Sequence, residues 1–279
     1  MISFIGAGKV GTALGIYFKQ RGCNIAGYYS RNYQHALAAS EQTNTKVFTN
    51  IEELLKQSSM VWITVTDDAL EEVSKEIAQL EIPDHVKAFV HTSGVHSYKI
   101  LNDIAKKGFT TYSAHPLMAF GSAEESVKQL ESVYFSLESS VEREDDDYLD
   151  VFFNKIRNKT LFIDSEKKEL YHCAAAVLSN YMVTLLHLSY EMFAESGMNK
   201  AEIKNATAPL LHSTLNNIET HEKMSDALTG AIKRGDITTV IKHLEALEKY
   251  MPTKTTLYKE LGKETMEMLQ DHKLKEILS

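Results

Sequence analysis

Cysteine is nearly absent: Cys23 and Cys173 are the only two in 279 residues. Two thiols build no disulfide framework and suit a reducing compartment, so the chain is expected in the cytoplasm. Basic runs are missing too, and the formal net charge is -8. A nucleic-acid partner is therefore not expected, because phosphate binding needs clustered Lys and Arg. There is no repeat and no low-complexity tract. A secretory leader needs a basic start and a long apolar stretch. With an apparent strand running from Ile2 to Gly6, none is expected. The longest apolar run, "CAAAVLSNYMVTLLHLSY", is interrupted by Asn180, Thr184 and His187. One polar face in such a run argues for a core helix over a membrane span. His91 and His96, taken with His172 or Cys173, show no recognised ligand spacing, so no metal is expected. No G-x-S-x-G elbow and no paired catalytic carboxylates stand out.

What is present is alternation. Strand-like segments "ISFIG", "NIAGYYS", "TKVFT", "MVWITVT", "VKAFVHTS" and "FTTYSAH" are separated by helical stretches beginning near Lys9, Asn32, Asn50, Asp67 and Ser97. Asn50 followed by Glu53 reads as a helix start. "MVWITVT" is continuously apolar, as in a parallel strand covered on both faces. This rhythm predicts an α/β doubly wound, Rossmann-like, mainly parallel sheet. After His115 come "ESVYFSLES", a helix over "YLDVFFNKIRN" and a last strand in "KTLFIDS". The acidic run "EREDDD" between them suits a solvated helix start. From Ser165 the pattern is helical to the end: a long helix over residues 166–196 closed by Gly197, then interruptions near Pro209, Gly230, Gly235 and Pro252. We therefore expect two domains, 1–164 dinucleotide-binding and Rossmann-like, and 165–279 all-helical.

The glycines Gly6-x-Gly8-x-x-Gly11 sit between the first strand and its helix. In that context each answers a physical need. Gly6 allows the tight turn, Gly8 the close approach of a pyrophosphate, and Gly11 the packing of helix on strand. Free N–H groups at the helix start then face phosphate. Gly6, Ala7, Gly8, Lys9, Val10 and Gly11 are the expected cradle. The second strand ends "YYSRN" without the Asp or Glu that would hold a ribose 2′-hydroxyl. Ser30 and Arg31 suit a 2′-phosphate, so NADP is favoured over NAD. A helix cap followed by a surface arginine would give the same residues.

The motifs "FIGAGKVGTALG", "YYSRN", "VWITVTDDAL", "VHTSG", "AHPLMAF", "YHCAAAVLSNY" and "LTGAIKRGDITTVIKHLEAL" together resemble those of a known group. Its members join an NADP-binding Rossmann-like domain to a helical domain of unknown function. They stand near the pyrroline-5-carboxylate reductases and the deazaflavin-dependent NADP oxidoreductases, within the superfamily of 6-phosphogluconate and 3-hydroxyisobutyrate dehydrogenases. The resemblance implies a homodimer formed through the helical domain. It also implies that Thr66 and Asp67 border the cofactor's ribose and nicotinamide, and that His91, Thr92 and Ser93 face the nicotinamide. In the related hydroxyacid dehydrogenases the long helix carries a Lys one turn before an Asn. Here Ser179-Asn180 falls on the Asn pair and Ala176 on the Lys.

Three residues are candidates for chemistry. His115 precedes Pro116 at the end of a strand, where it would donate a proton or a hydrogen bond, or simply brace the turn. His172, Ala176 and Asn180 are spaced by four, which on a regular helix gives them one face. His172 would replace the missing Lys, or serve as a core histidine, and Asn180 would orient a small-molecule substrate or the nicotinamide. The expected function is an NADP-dependent oxidoreductase passing hydride to a small carbonyl or imine at the interdomain cleft. The alternatives are a non-catalytic NADP sensor or scaffold, and an enzyme of another dinucleotide such as NAD or a flavin.

Overall fold

The structure is a computed structural model and describes residues 1–141 and 148–279. The "EREDDD" run lies outside the described residues. All eight segments read as strands form strands: β1 (Ile2–Ile5), β2 (Ile25–Tyr29), β3 (Lys46–Val47), β4 (Met60–Ile63), β5 (Ala88–His91), β6 (Thr110–Pro116), β7 (Phe135–Ser139) and β8 (Thr160–Phe162). They make one sheet in the order β3-β2-β1-β4-β5-β6-β7-β8. Every pairing is parallel except β6 with β7. The strand order reverses between β1 and β4, which is where an open α/β sheet forms its ligand crevice.

Both faces of the central strands are apolar, as a covered parallel sheet requires. Phe4, Tyr28, Trp62 and Val90 join one core and Ile5, Val61, Ile63 and Phe89 the other. The connecting helices of this part are α1 (Lys9–Gln20), α2 (Tyr33–Thr43), α3 (Ile51–Lys56), α4 (Asp67–Gln79), α5 (Asn102–Ala105), α6 (Ala123–Gln129) and α7 (Tyr148–Ile156). Asn50 caps α3 by accepting from Glu53 N–H at 2.8 Å, as its position suggested. The helix α6 was not anticipated, although Ser122 and Glu125 form a capping box at its start.

The long helix is less regular than expected. It comprises α8 (Lys168–Ala176), a π-helical segment Val177–Tyr181, and α9 (Met182–Glu195). The chain divides into two compact units, Met1–Met182 and Val183–Ser279. The sheet ends near the expected boundary at 164/165, yet the first unit continues to Met182, because α8 buries Lys168 against the sheet.

The second unit continues with α10 (Lys200–Thr220), α11 (Met224–Ala227), α12 (Ala231–Arg234), α13 (Ile237–Tyr250), α14 (Thr255–Leu269) and α15 (Lys275–Leu278). Asp236 caps α13 through Thr239 N–H. Val240, Met266, Leu274 and Leu278 form its core. Pro209 does not interrupt α10, contrary to expectation; it lies inside the helix. Proline removes one backbone donor there, and the rest of the 21-residue ladder holds.

Candidate functional site

The glycine loop has the geometry its spacing implies. Gly6 sits at φ +102°, a conformation L side chains rarely adopt, and an added Cβ would meet the Thr64 carbonyl carbon at 2.7 Å. A Cβ on Gly11 would lie 2.4 Å from Thr64 Oγ1 and 2.5 Å from Gly6 O. Gly8 is different: nothing lies within 4 Å of an added Cβ, so space opens in front of it. Two glycines thus close the turn, and the third leaves room outside. Thr64 pins the loop by donating to Gly6 O at 2.8 Å. Gly8 caps α1 without a side-chain acceptor, and the first turn carries no acid.

The loop forms one wall of a cleft of about 400 Å³ that also includes Ser30, Arg31, His35 and Thr66. Ser30 and Arg31 therefore come together with Gly6, Ala7 and Gly8, while Lys9 and Val10 begin α1. Arg31 is exposed and lies 3.9 Å from Glu72, an ion pair too loose and too wet to hold it. Asn32 is already committed: its Oδ1 caps α2 by accepting from Gln34 N–H. His35 was not singled out in the sequence; near the start of α2, it lines the same cleft. Thr66 caps α4 and is exposed, as is Asp67 behind it.

The loop after β5 is organised by its own side chains. His91 is fully buried; Ser93 N–H donates to its Nδ1, and its Nε2 donates to Ser97 O at 3.1 Å. Burial holds the ring neutral, pushing its pKa down to about 3, with the Lys168 charge acting the same way. The ring of His91 is thus spent on shaping the loop. Ser93 Oγ likewise accepts from Val95 and His96 N–H. Thr92 stays partly exposed between them.

A polar cluster builds up where β6 and β7 run antiparallel. Ser113 pairs with Glu138 and His115 with Ser136, while Tyr112, Ala114, Phe135 and Leu137 face the core on the opposite side. The two-residue period of a strand puts the four polar residues on one face. Across that face lies α8, which presents Lys168, Tyr171 and His172 at helical spacing. Lys168 is fully buried, with Nζ 2.7 Å from Glu138 Oε1 and 2.9 Å from Ser113 Oγ. Tyr171 OH is 2.9 Å from His115 Nδ1. The rings of His115 and His172 meet edge-on with centroids 6.3 Å apart. Gly94 admits both, since a Cβ there would lie 2.5 Å from His172 Cδ2 and 2.9 Å from His115 Nε2.

The structure therefore brings His115 and His172 together at the carboxyl end of the sheet. Burial drives the His115 pKa down to about 4, and Lys168 and His172 add to the effect, against a small opposite pull from Asp67. Asn180 lies further along the same helix, in the π-helical segment, where the ladder shifts to i→i+5 and the turn from Ala176 takes in an extra residue. Asn180 is exposed and its Oδ1 lies 2.9 Å from Ser179 Oγ. Lys168, Glu138 and Tyr171 were missed. Their signal was the alternation of "TTYSAHP" and "FSLES", which puts Ser113, His115, Ser136 and Glu138 on one face once the two strands are paired.

Comparison with known proteins agrees with this architecture. Residues 1–116 match a Rossmann-like domain and residues 133–265 a domain of unknown function, DUF2520. The chain joins these two domains, the combination its motifs suggested. A Thermotoga maritima protein of solved structure is 26% identical, with 97% of this chain and 98% of that chain covered and a TM-score of 0.73. A Bacteroides fragilis protein described as a candidate NADP oxidoreductase is 22% identical, covering 95% and 97%, also with a TM-score of 0.73. A 1-pyrroline-5-carboxylate reductase of Streptococcus pyogenes is 16% identical, covering 95% and 96%, with a TM-score of 0.65. These likenesses establish a shared fold. No curated protein matches the sequence.

Proposed function

We propose that the chain is an NADP-dependent oxidoreductase acting on a small carbonyl or imine. The observation that carries this reading is the cleft itself: an open Gly8 and an exposed Arg31 stand on one wall system, with no acid at the end of β2. NADPH, when bound, supplies hydride. The Gly6–Gly11 loop would hold the pyrophosphate with backbone N–H groups at the start of α1. Ser30 and Arg31 would take the 2′-phosphate, with His35 beside them. His115 would donate to the substrate heteroatom, with His172 against it, and Asn180 would orient the substrate or the nicotinamide. Support also comes from neighbours of the same fold, among them a Plasmodium falciparum pyrroline carboxylate reductase with NADP bound and an imine reductase from Pseudomonas.

The cofactor assignment is checked by titrating NADPH and NADH on wild type and Arg31→Ala. Charge-assisted hydrogen bonds contribute about 1.5–3 kcal/mol each. The variant should lose roughly ten- to a hundredfold in NADPH affinity and change little toward NADH. An unchanged preference would remove the 2′-phosphate role. Turnover is checked by NADPH oxidation against keto acids, aldehydes and cyclic imines. The small Ala176, which the motif resemblance sets where hydroxyacid dehydrogenases carry Lys, favours a second reading, a sensor that binds NADP without turnover. Tight binding with no oxidation of any panel member would support that reading.

We also propose that the protein is a cytoplasmic homodimer. Cys23 and Cys173 are both free. Among the described residues one helix, Ser165–Glu195, is long and apolar enough to cross a membrane, an 18-residue stretch of it having a mean hydropathy of 1.2. Leu170, Leu178, Tyr181 and Val183 are all exposed on it. Its start, however, is fastened to the sheet through the buried Lys168–Glu138 pair. A second copy covers such a surface without pulling that pair into lipid. Light scattering should then give twice the chain mass of 31.5 kDa in detergent-free buffer; a monodisperse monomer would refute the dimer.

A further inference from the structure

We propose that Tyr171 is a positioning residue that locks His115 in the neutral tautomer with its proton on Nε2, so that His115 offers the site a hydrogen-bond donor and not an imidazolium. The use of that donor rests on the oxidoreductase reading; the lock does not. Two atoms 2.9 Å apart, Tyr171 OH and His115 Nδ1, share one proton between them. Either the phenol donates to a bare Nδ1, or a protonated Nδ1 donates to the phenol oxygen.

The surroundings choose the first arrangement. Nδ1 faces Tyr171 and therefore α8, the helix that carries the buried Lys168 cation. The Lys168 ammonium lies 5.5 Å from the Tyr171 ring centroid. The buried cation opposes a proton on the ring of His115, while burial and the Glu138 carboxylate keep the Tyr171 phenol protonated and so able to donate. The proton of a neutral ring is then on Nε2. Nε2 points to Gly94, the residue whose missing Cβ leaves room there.

The charged and titratable neighbours agree. Lys168 and His172 on α8 both oppose protonation of His115, and burial opposes it more strongly; only Asp67 on α4 favours it. His91 on β5 is itself held neutral. The Tyr171 proton is held as well, because burial raises the phenol above its usual range. A neutral imidazole with a fixed Nε2–H can stabilise negative charge growing on a carbonyl oxygen or imine nitrogen without first acquiring a proton. Its donor strength would then not change across the pH range where an ordinary histidine titrates.

The lock is read directly by ¹⁵N NMR of histidine-labelled protein, with His115 assigned through the His115→Gln variant. In wild type, Nδ1 should resonate as a bare nitrogen and Nε2 as a protonated one, unchanged from pH 8 to pH 5. In Tyr171→Phe the Nδ1 signal should move toward the protonated range as the two tautomers mix. A protonated Nδ1 or an imidazolium at pH 7 in wild type, or a Tyr171→Phe spectrum identical to wild type, would overturn the proposal. Should Tyr171→Phe fail to fold, the wild-type spectrum still decides the tautomer. No substrate or turnover is needed, so the two readings fail separately. An inactive protein with Nε2–H at His115 refutes the oxidoreductase alone, and an active one with Nδ1–H refutes the lock alone.

Discussion

Gly8→Asp will fold at least as well as wild type and lose NADPH binding about a hundredfold or more, whereas Gly11→Ala will lose stability and binding together. The contrast comes from what surrounds each residue. Gly8 is the N-cap of α1 with φ -78°, an ordinary conformation for an L residue, and an added Cβ there meets nothing. Aspartate is among the best N-caps and complements the helix dipole, so the substitution suits the fold. Its carboxylate, however, would stand where the proposed pyrophosphate approaches. Like charges ~4 Å apart at an effective dielectric near 20 repel by about 4 kcal/mol, more than the ~2.8 kcal/mol a hundredfold loss requires. At Gly11 a methyl group runs into Thr64 Oγ1 and the Gly6 carbonyl. Overpacking of this kind costs about 1–3 kcal/mol, and relief by moving the loop would dismantle the cradle. Thermal melts and nicotinamide fluorescence titrations on both variants separate the two effects. NADPH affinity in Gly8→Asp equal to wild type would mean that the three glycines serve only the turn.

That contrast also shows which features a sequence can carry. The Gly6-x-Gly8-x-x-Gly11 spacing was legible because strand, turn and helix start are contiguous in the chain, although only Gly6, at φ +102°, answers a backbone constraint of its own, while Gly11 is set by its packing on Thr64 and Gly8 by nothing within the fold. The same holds for the eight strands, whose apolar runs and flanking turns are short-range signals. The antiparallel turn of β7 was not legible, since no local residue records which way a strand pairs. With the pairing unknown, Ser113, His115, Ser136 and Glu138 could not be placed on one face, and Lys168 read as one more surface lysine at a helix start. The π segment was not legible either: the steps of four from His172 to Asn180 assume a regular ladder, and the inserted residue leaves no mark in "AVLSNY". Pro209 erred in the opposite direction, a strong local breaker overruled by the 21-residue helix around it.

Lys168→Met should cost about 3–5 kcal/mol of stability, as expected when one partner of a buried pair is removed and the other stays. Both side chains of the Lys168–Glu138 pair are fully buried, so water cannot compensate the carboxylate left behind. The loss will shrink as the pH falls from 8 to 5. An isolated buried carboxylate is forced to take up a proton. The folded variant then binds more protons than the unfolded chain, and its stability falls as the pH rises. Lys168→Met combined with Glu138→Leu should recover most of the stability, because an apolar pair of similar volume avoids the desolvation penalty. The measurement is chemical denaturation of wild type, both single variants and the double variant at pH 5 and pH 8. A Lys168→Met loss below about 1 kcal/mol, the range of an exposed pair, would mean that water reaches Glu138. Recovery of stability in the double variant also isolates the function of the ion pair. Ser113 and Tyr171 lose their charged neighbours while the fold is kept. The His115 tautomer in that variant then shows whether the Lys168–Glu138 pair helps to set the proton's position or only holds α8 to the sheet.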